Sequence, residues 1–225
     1  MEIIKVSNVH KIYNSSTVAV NALKGVSLSV NKGEFLVIAG ESGSGKTTLL
    51  NIIGTLDIPS EGGVVLEGQD ISKKSKGELS DIRLNKLGFV FQAFNLIPVL
   101  TAMENIEFTM MLLGIPESVR RQRTLLIMEE LGIAELADKK PNQMSGGQQQ
   151  RVAVARAIVH NPLIVLADEP TANLDSKTGE HLLDLMQKMN REKNITFVFS
   201  SHDNKVISKA SRLITLKDGL ILSGK

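Results

Sequence analysis

Apolar and polar residues alternate over Val26-Ser27-Leu28-Ser29-Val30, whereas Phe35-Leu36-Val37-Ile38-Ala39 and Leu163-Ile164-Val165-Leu166-Ala167 are apolar without a break. Alternation marks a half-exposed strand, and a short unbroken run marks a strand buried on both faces. Ile3 to Val6 reads as a further half-exposed strand, and Asn31-Lys32-Gly33 as the turn that leads into the first buried one. From Lys46 to Leu56 the period becomes helical; Gly62-Gly63 and Gly68 then bracket a strand around Val64-Val65-Leu66, and Lys73, Lys74 and Lys76 fall in a Ser/Gly-containing loop.

From about Thr101 to about Leu136 the residues favour helix, with turn signals at Gly114-Ile115-Pro116 and Gly132. Thr101-Ala102-Met103-Glu104 is a capping box, because the hydroxyl and the carboxylate can each satisfy an orphan backbone N–H at a helix start. This stretch reads as a helical insertion. Beyond it the order is helix (about Gln148 to His160), strand (Leu163 to Ala167), helix (about Ser176 to Glu192), strand (Ile195 to Ser200), short helix, and terminal strands near Leu213 to Leu216 and Leu220 to Leu222. Strands that alternate with helices imply a mostly parallel sheet covered on both faces, an α/β fold.

A length of 225 residues fits one sizeable domain with an inserted subdomain. The 42% hydrophobic and 22% charged fractions exclude disordered, collagen-like and disulfide-scaffold classes. The absence of cysteine removes thiol chemistry and thiolate metal sites. No apolar run approaches the roughly 18 residues of a membrane span, and the N-terminus carries no signal-peptide pattern, so a cytosolic location is expected. With 26 basic against 24 acidic residues, no strongly basic face for nucleic acid is indicated.

Gly40-Glu41-Ser42-Gly43-Ser44-Gly45-Lys46-Thr47 matches G-x-x-x-x-G-K-[ST] and stands between a buried strand and a helix. Glycines let such a loop curl so that successive N–H groups face a phosphate, and the helix that follows adds the partial positive charge of its N-terminus. Lys46 would reach the β- and γ-phosphates, and Thr47 would offer its hydroxyl to Mg²⁺. The run Leu163 to Ala167 would deliver Asp168 to the carboxyl edge of the sheet, in reach of a Mg²⁺ shell, and place Glu169 to take a proton from attacking water.

Nucleotide binding alone leaves kinases, GTPases and motor ATPases open. Ser145-Gly146-Gly147-Gln148 opens a long helix and makes a second anion-binding terminus that one nucleotide in one chain does not need. Here the chain resembles the ATP-binding cassette (ABC) ATPases, whose signature it matches except at Met144, where the family usually has Leu. The resemblance covers essentially the whole chain. It implies a P-loop NTPase core with a mostly parallel sheet, an antiparallel β subdomain in the N-terminal part and an inserted α-helical subdomain. Residues 1–92 and 160–225 would form the core with its β subdomain, and 93–159 the helical subdomain that carries the signature.

The resemblance also implies that two chains sandwich two ATP molecules head to tail, Ser145, Gly146, Gly147 and Gln148 of one closing on the γ-phosphate held by the other. It gives Gln92 as the residue that senses Mg²⁺ and attacking water, His202 as the switch that contacts the γ-phosphate, and Asp175, in Asn173-Leu174-Asp175, as part of a loop communicating across the dimer. Tyr13 would stack on adenine, where a flat ring gives dispersion at little loss of freedom. Thr48 joins the Gly40 to Thr47 loop in holding ATP. Met110-Met111 reads as core, and Arg120, Arg121, Arg123, Lys139 and Lys140 as solvated.

Within the family, Gly88 to Pro98, Ser145 to Arg151 and Ala167 to Asp175 look like the group serving lipoprotein release and macrolide or peptide export, LolD-like and MacB-like. Such an ATPase would sit on the inner face of the cell membrane under an integral permease subunit with a large extracytoplasmic domain, whose coupling helix meets a groove near Gln92 to Leu100. The alternative is a soluble ABC ATPase acting on nucleic acid or ribosomes.

Overall fold

The computed structural model describes residues 1–14 and 19–224. Strands β1 (Glu2–Asn14) and β2 (Ala19–Asn31) pair antiparallel, and β4 (Glu61–Leu66) and β5 (Gln69–Asp70) complete a four-stranded sheet in the order β2-β1-β4-β5. The second sheet runs β10 (Leu220–Gly224), β9 (Arg212–Lys217), β3 (Phe35–Ala39), β8 (Thr196–Ser201), β7 (Ile164–Asp168), β6 (Leu87–Val90). All its pairings are parallel except β9 with β10. β3 is buried at every residue, as an unbroken apolar run requires of a strand covered on both faces, and β8 is too, with its Thr196, Ser200 and Ser201 included.

The period of two along these strands divides the core. Phe35 and Val37, Val165 and Ala167, Phe197 and Phe199 face one apolar cluster; Leu36 and Ile38, Ile164 and Leu166, and Val198 face the other. The first cluster is closed by α3 (Ala102–Leu112), α4 (Glu117–Glu130), α5 (Gly146–Ile158) and α6 (Ser176–Lys193). The second is closed by α1 (Lys46–Ile53), α2 (Lys76–Lys86) and the antiparallel sheet. α7 (Asn204–Ser208) follows β8. Strands β3, β7 and β8 therefore end side by side and deliver Gly40, Asp168 and His202 to one edge.

The capping box at Thr101 forms as expected, Thr101 Oγ1 accepting from the Glu104 amide at 3.2 Å and Glu104 Oε2 from the Thr101 amide at 2.8 Å. The fully buried Asn105 pins the preceding loop, accepting from the Ile97 amide at 2.7 Å and donating to the Thr101 carbonyl at 2.9 Å.

Three expectations are corrected. Lys76 belongs to α2 rather than to a loop, because Ser75 caps that helix in a reciprocal box with Glu78. Met110 is fully buried, but Met111 is 48% exposed, since neighbours on a helix point about 100° apart. Arg120 is not solvated: it donates to the Ile115 carbonyl at 2.7 Å and lies 3.6 Å from Glu107.

Candidate nucleotide site

A cleft of about 660 Å³ opens where β3 gives way to α1, lined among others by Tyr13, Ser42, Gly43, Gly45, Lys46, Thr47, Thr48, Gln92, Glu169 and His202. Gly45 caps α1 at φ 103°, with no side-chain hydrogen bond to the first amides of the helix. A side chain there would be strained by that φ, and its Cβ would stand 2.6 Å from the Ala22 carbonyl oxygen. The helix therefore starts with its N–H groups unclaimed by any cap, the arrangement that receives a phosphate.

Lys46 is buried, and its ammonium donates to the carbonyls of Gly40 at 2.7 Å and Glu41 at 2.9 Å, bridging the loop from inside. Thr47 Oγ1 lies 3.2 Å from both carboxylate oxygens of Asp168, and Ser200 Oγ donates to Asp168 Oδ1. A hydroxyl beside a carboxylate is a hard-oxygen donor set suited to Mg²⁺. Among the described residues no cluster of three or more His, Asp or Glu side chains could hold a metal alone, so such an ion would need phosphate and water as its remaining ligands.

Glu169 follows β7 with φ 44°, left-handed backbone that costs a non-glycine residue about 1–3 kcal/mol. Its amide is tied to the Ser200 carbonyl at 3.0 Å. Its carboxylate meets His202 Nδ1 at 2.7 Å and accepts from Ser201 Oγ at 3.3 Å. Carboxylate and imidazole thus form a pair at the cleft wall able to take and orient protons. Gln92 sits after β6, its carbonyl accepting from Asn173 Nδ2 at 2.9 Å.

Tyr13 also lines the cleft. Its hydroxyl donates to Asp57 at 2.6 Å; burial first, and this bond second, push the phenol above its ordinary pKa.

Ser145, Gly146, Gly147 and Gln148 do not line the cleft. They form the start of α5, where Ser145 Oγ accepts from the Gln148 amide at 3.3 Å and Gln148 Oε1 from the Ser145 amide at 2.9 Å. Gly147 packs so closely on α6 that an added Cβ would stand 2.3 Å from Thr178 Cγ2. Asp175 caps α6, accepting from the Lys177 and Thr178 amides at 3.1 Å each; the hydrogen bonds from Thr178 hold its carboxyl below its ordinary value. The link from α5 to the cleft is Gln150, fully buried, which donates to the Pro170 carbonyl at 2.7 Å.

Val20, Asn21, Ala22, Lys24, Ala172, Asp218 and Gly219 also line the cleft, and no motif in the sequence marks them. Asp218-Gly219 is legible as a turn between the last strands. Its place is fixed only in three dimensions, where the Gly219 amide donates to the Ser44 carbonyl at 3.0 Å and the Lys24 amide to the Gly219 carbonyl at 2.9 Å.

The family profile described as ABC transporter matches residues 23–172. The chain is 49% identical over 220 residues to an uncharacterized ABC transporter ATP-binding protein, MJ0796, of Methanocaldococcus jannaschii, covering 96% of this chain and 94% of that protein. It is 42% identical over 221 residues to a macrolide export ATP-binding/permease protein, MacB, of Brucella melitensis, and there it spans 98% of its own length but about a third, 34%, of the relative. Among solved structures, a dimeric post-hydrolysis state of the cassette MJ0796 bound to ADP and Pi superposes with a TM-score of 0.91 at 46% identity, covering 99% of this chain and 98% of that one.

Proposed function

The chain belongs to the ABC transporter family and is one of its ATP-hydrolysing cassettes, and from that premise we propose that two copies close head to tail around two ATP–Mg²⁺ and drive a separate membrane subunit. The observation that carries the reading is one cleft lined by the uncapped start of α1 with Lys46 and Thr47 and by the Glu169–His202 pair, with Asp168 in reach of Thr47.

In this reading water attacks the γ-phosphorus in line, and Glu169 accepts the proton of that water. His202, 2.7 Å from Glu169, keeps the carboxylate oriented and reaches the γ-phosphate. Lys46 and the amides of residues 41–47 hold charge that spreads over the phosphate oxygens. Thr47, Asp168 and Gln92 would hold Mg²⁺, which when bound neutralises phosphate charge. Tyr13 stacks on adenine. The first amides of α5, with Ser145, Gly146, Gly147 and Gln148, complete the site on the partner copy, which is why they lie away from the cleft of their own chain. Asp175 lies in the loop that answers across the dimer. The division into a core of 1–92 and 160–225 and a helical part of 93–159 belongs to the same reading.

The membrane partner is expected at a second groove of about 480 Å³, walled by Leu56, Leu84, Phe89, Phe91, Phe108 and Leu112 and bordering the stretch from Gln92 to Leu100. Its ionisable residues are Arg83, Arg156 and His160, with no acid among them. Leu56, Val99 and Leu112 stand 47%, 72% and 56% exposed in its neighbourhood, an apolar area of the kind that marks a protein contact. No helix among the described residues is long and apolar enough to cross a membrane. The span would come from an integral permease subunit with a large extracytoplasmic domain, the cassette lying on the cytoplasmic face. Export of a macrolide or peptide, or release of lipoprotein, is the proposed work.

Tagged Glu169→Gln chain, expressed in its own cells and extracted from membranes with ATP and Mg²⁺, tests this. Copurification of a membrane protein with few spans and a large extracytoplasmic domain is the expected result. Recovery of soluble chains, ribosomes or nucleic acid alone would overturn the transporter reading. The same variant should hydrolyse ATP roughly 10²-fold more slowly than the parent while still binding it.

A further inference from the structure

Lys11 and Asp57, which the hydrolytic reading leaves without a role, form a cluster with Tyr13. β1 supplies Lys11 and Tyr13 from one side of the strand, and the chain leaving α1 supplies Asp57. Asp57 Oδ1 accepts from Lys11 Nζ at 2.6 Å and from the Ile58 amide at 2.8 Å, and Asp57 Oδ2 accepts from the Tyr13 hydroxyl at 2.6 Å. Lys11 Nζ also donates to the Ile58 carbonyl at 2.8 Å and lies over the Tyr13 ring, 4.8 Å from its centroid. Lys11 is nearly buried at 9% exposure, whereas Tyr13 is 41% exposed and lines the cleft. Burial alone would push the Asp57 carboxyl up, but the hydrogen bonds from Lys11, Tyr13 and the Ile58 amide outweigh it and hold the group below its ordinary value.

An exposed aromatic side chain on a strand has rotamers to choose from, and a base that stacks on it must first select one. Here the choice is already made: the hydroxyl is held by a carboxylate, and a cation covers one side of the ring. Resting on the reading of this cleft as the ATP site with Tyr13 at adenine, we propose that Asp57 is a positioning residue that fixes the Tyr13 ring for the base, so that it governs how well the chain tells a nucleotide from a bare polyphosphate. Because Asp57 follows the helix that begins at Lys46, one short element sets both the phosphate end and the base end of the cleft.

Affinity of the full chain for ATP and for inorganic tripolyphosphate, each with Mg²⁺, separates this role from a structural one. Asp57→Asn and Tyr13→Phe are each expected to weaken ATP about 3- to 10-fold and to leave tripolyphosphate within about twofold. The double variant should be no worse than the poorer single one, since Tyr13→Phe already removes the hydroxyl whose bond Asp57→Asn alters. Equal weakening of both ligands, or ATP affinity unchanged in both single variants, would overturn the role of Asp57. Tyr13→Phe leaves Lys11 and Asp57 paired, so it remains informative if Asp57→Asn unfolds. Tyr13→Ala distinguishes the two layers: loss of ATP affinity there with none in Asp57→Asn and Tyr13→Phe sinks only the positioning role, whereas no loss in Tyr13→Ala sinks the adenine contact itself.

Discussion

Two helices of this chain begin with glycine-rich sequence, and they begin differently. α1 starts at Gly45 with no side-chain cap and no acidic residue in its first turn. α5 starts at Ser145, which is locked with Gln148 in a reciprocal capping box. Both carry the positive end of a helix dipole, yet only the first leaves its amides uncapped within a cleft of its own chain. Glycine content does not decide which terminus is an anion site at rest; the cap does. α1 leaves its first amides without a side-chain cap, whereas α5 has part of its hydrogen-bonding capacity turned inward; in the proposed reading the first receives a phosphate and the rest of the second, the Gly146 and Gly147 end, meets a second copy.

Lys46→Ala should break the open terminus most severely. It removes a charged donor from the phosphates, worth about 1.5–3 kcal/mol, and should weaken ATP binding by roughly tenfold to a hundredfold or more in a nucleotide titration. Unchanged affinity would contradict the role of the loop. Gly147→Ala comes next. With Thr178 Cγ2 2.3 Å from the new Cβ, a cost of about 1–3 kcal/mol is expected in chemical denaturation, and Thr178→Ser, which removes that methyl, should restore most of it. Failure of the second change to rescue the first would place the clash elsewhere. Ser145→Ala is the mildest: loss of the cap should cost about 1 kcal/mol of stability. It should also weaken ATP-dependent dimerisation in size-exclusion measurements while ATP affinity of the single chain stays unchanged. A fall in that single-chain affinity would mean that α5 reaches the cleft of its own chain after all.

The buried strands β3 and β7 could be read from the chain because unbroken apolar runs are local signals, and α3 because its capping box is another. The long strands β1 and β2 could not be followed to their ends. Their register shifts around Val6 to His10, where Asn8 takes φ 47°, and the shift interrupts the alternation that marks a strand. α2 was hidden by Gly77 and three lysines, although Ser75 and Glu78 carry the same box that revealed α3. At the site, the residues on one continuous stretch, Gly40 to Thr48, were legible, and so were Asp168 and Glu169 at the end of an apolar run. Asp57, Lys24 and Asp218 were not, because each gains its place from a strand or turn distant in sequence, and nothing in their own neighbourhood distinguishes them from surface residues.

An ammonium has three protons, and Lys46 spends two of them on the carbonyls of Gly40 and Glu41. The third is left over, so in the proposed reading Lys46 can make its first contact with a phosphate while it still holds both carbonyls. That first contact is then expected at the pace of encounter, and a slow phase in rapid mixing is expected to follow the concentration of chain, as the approach of a second copy would.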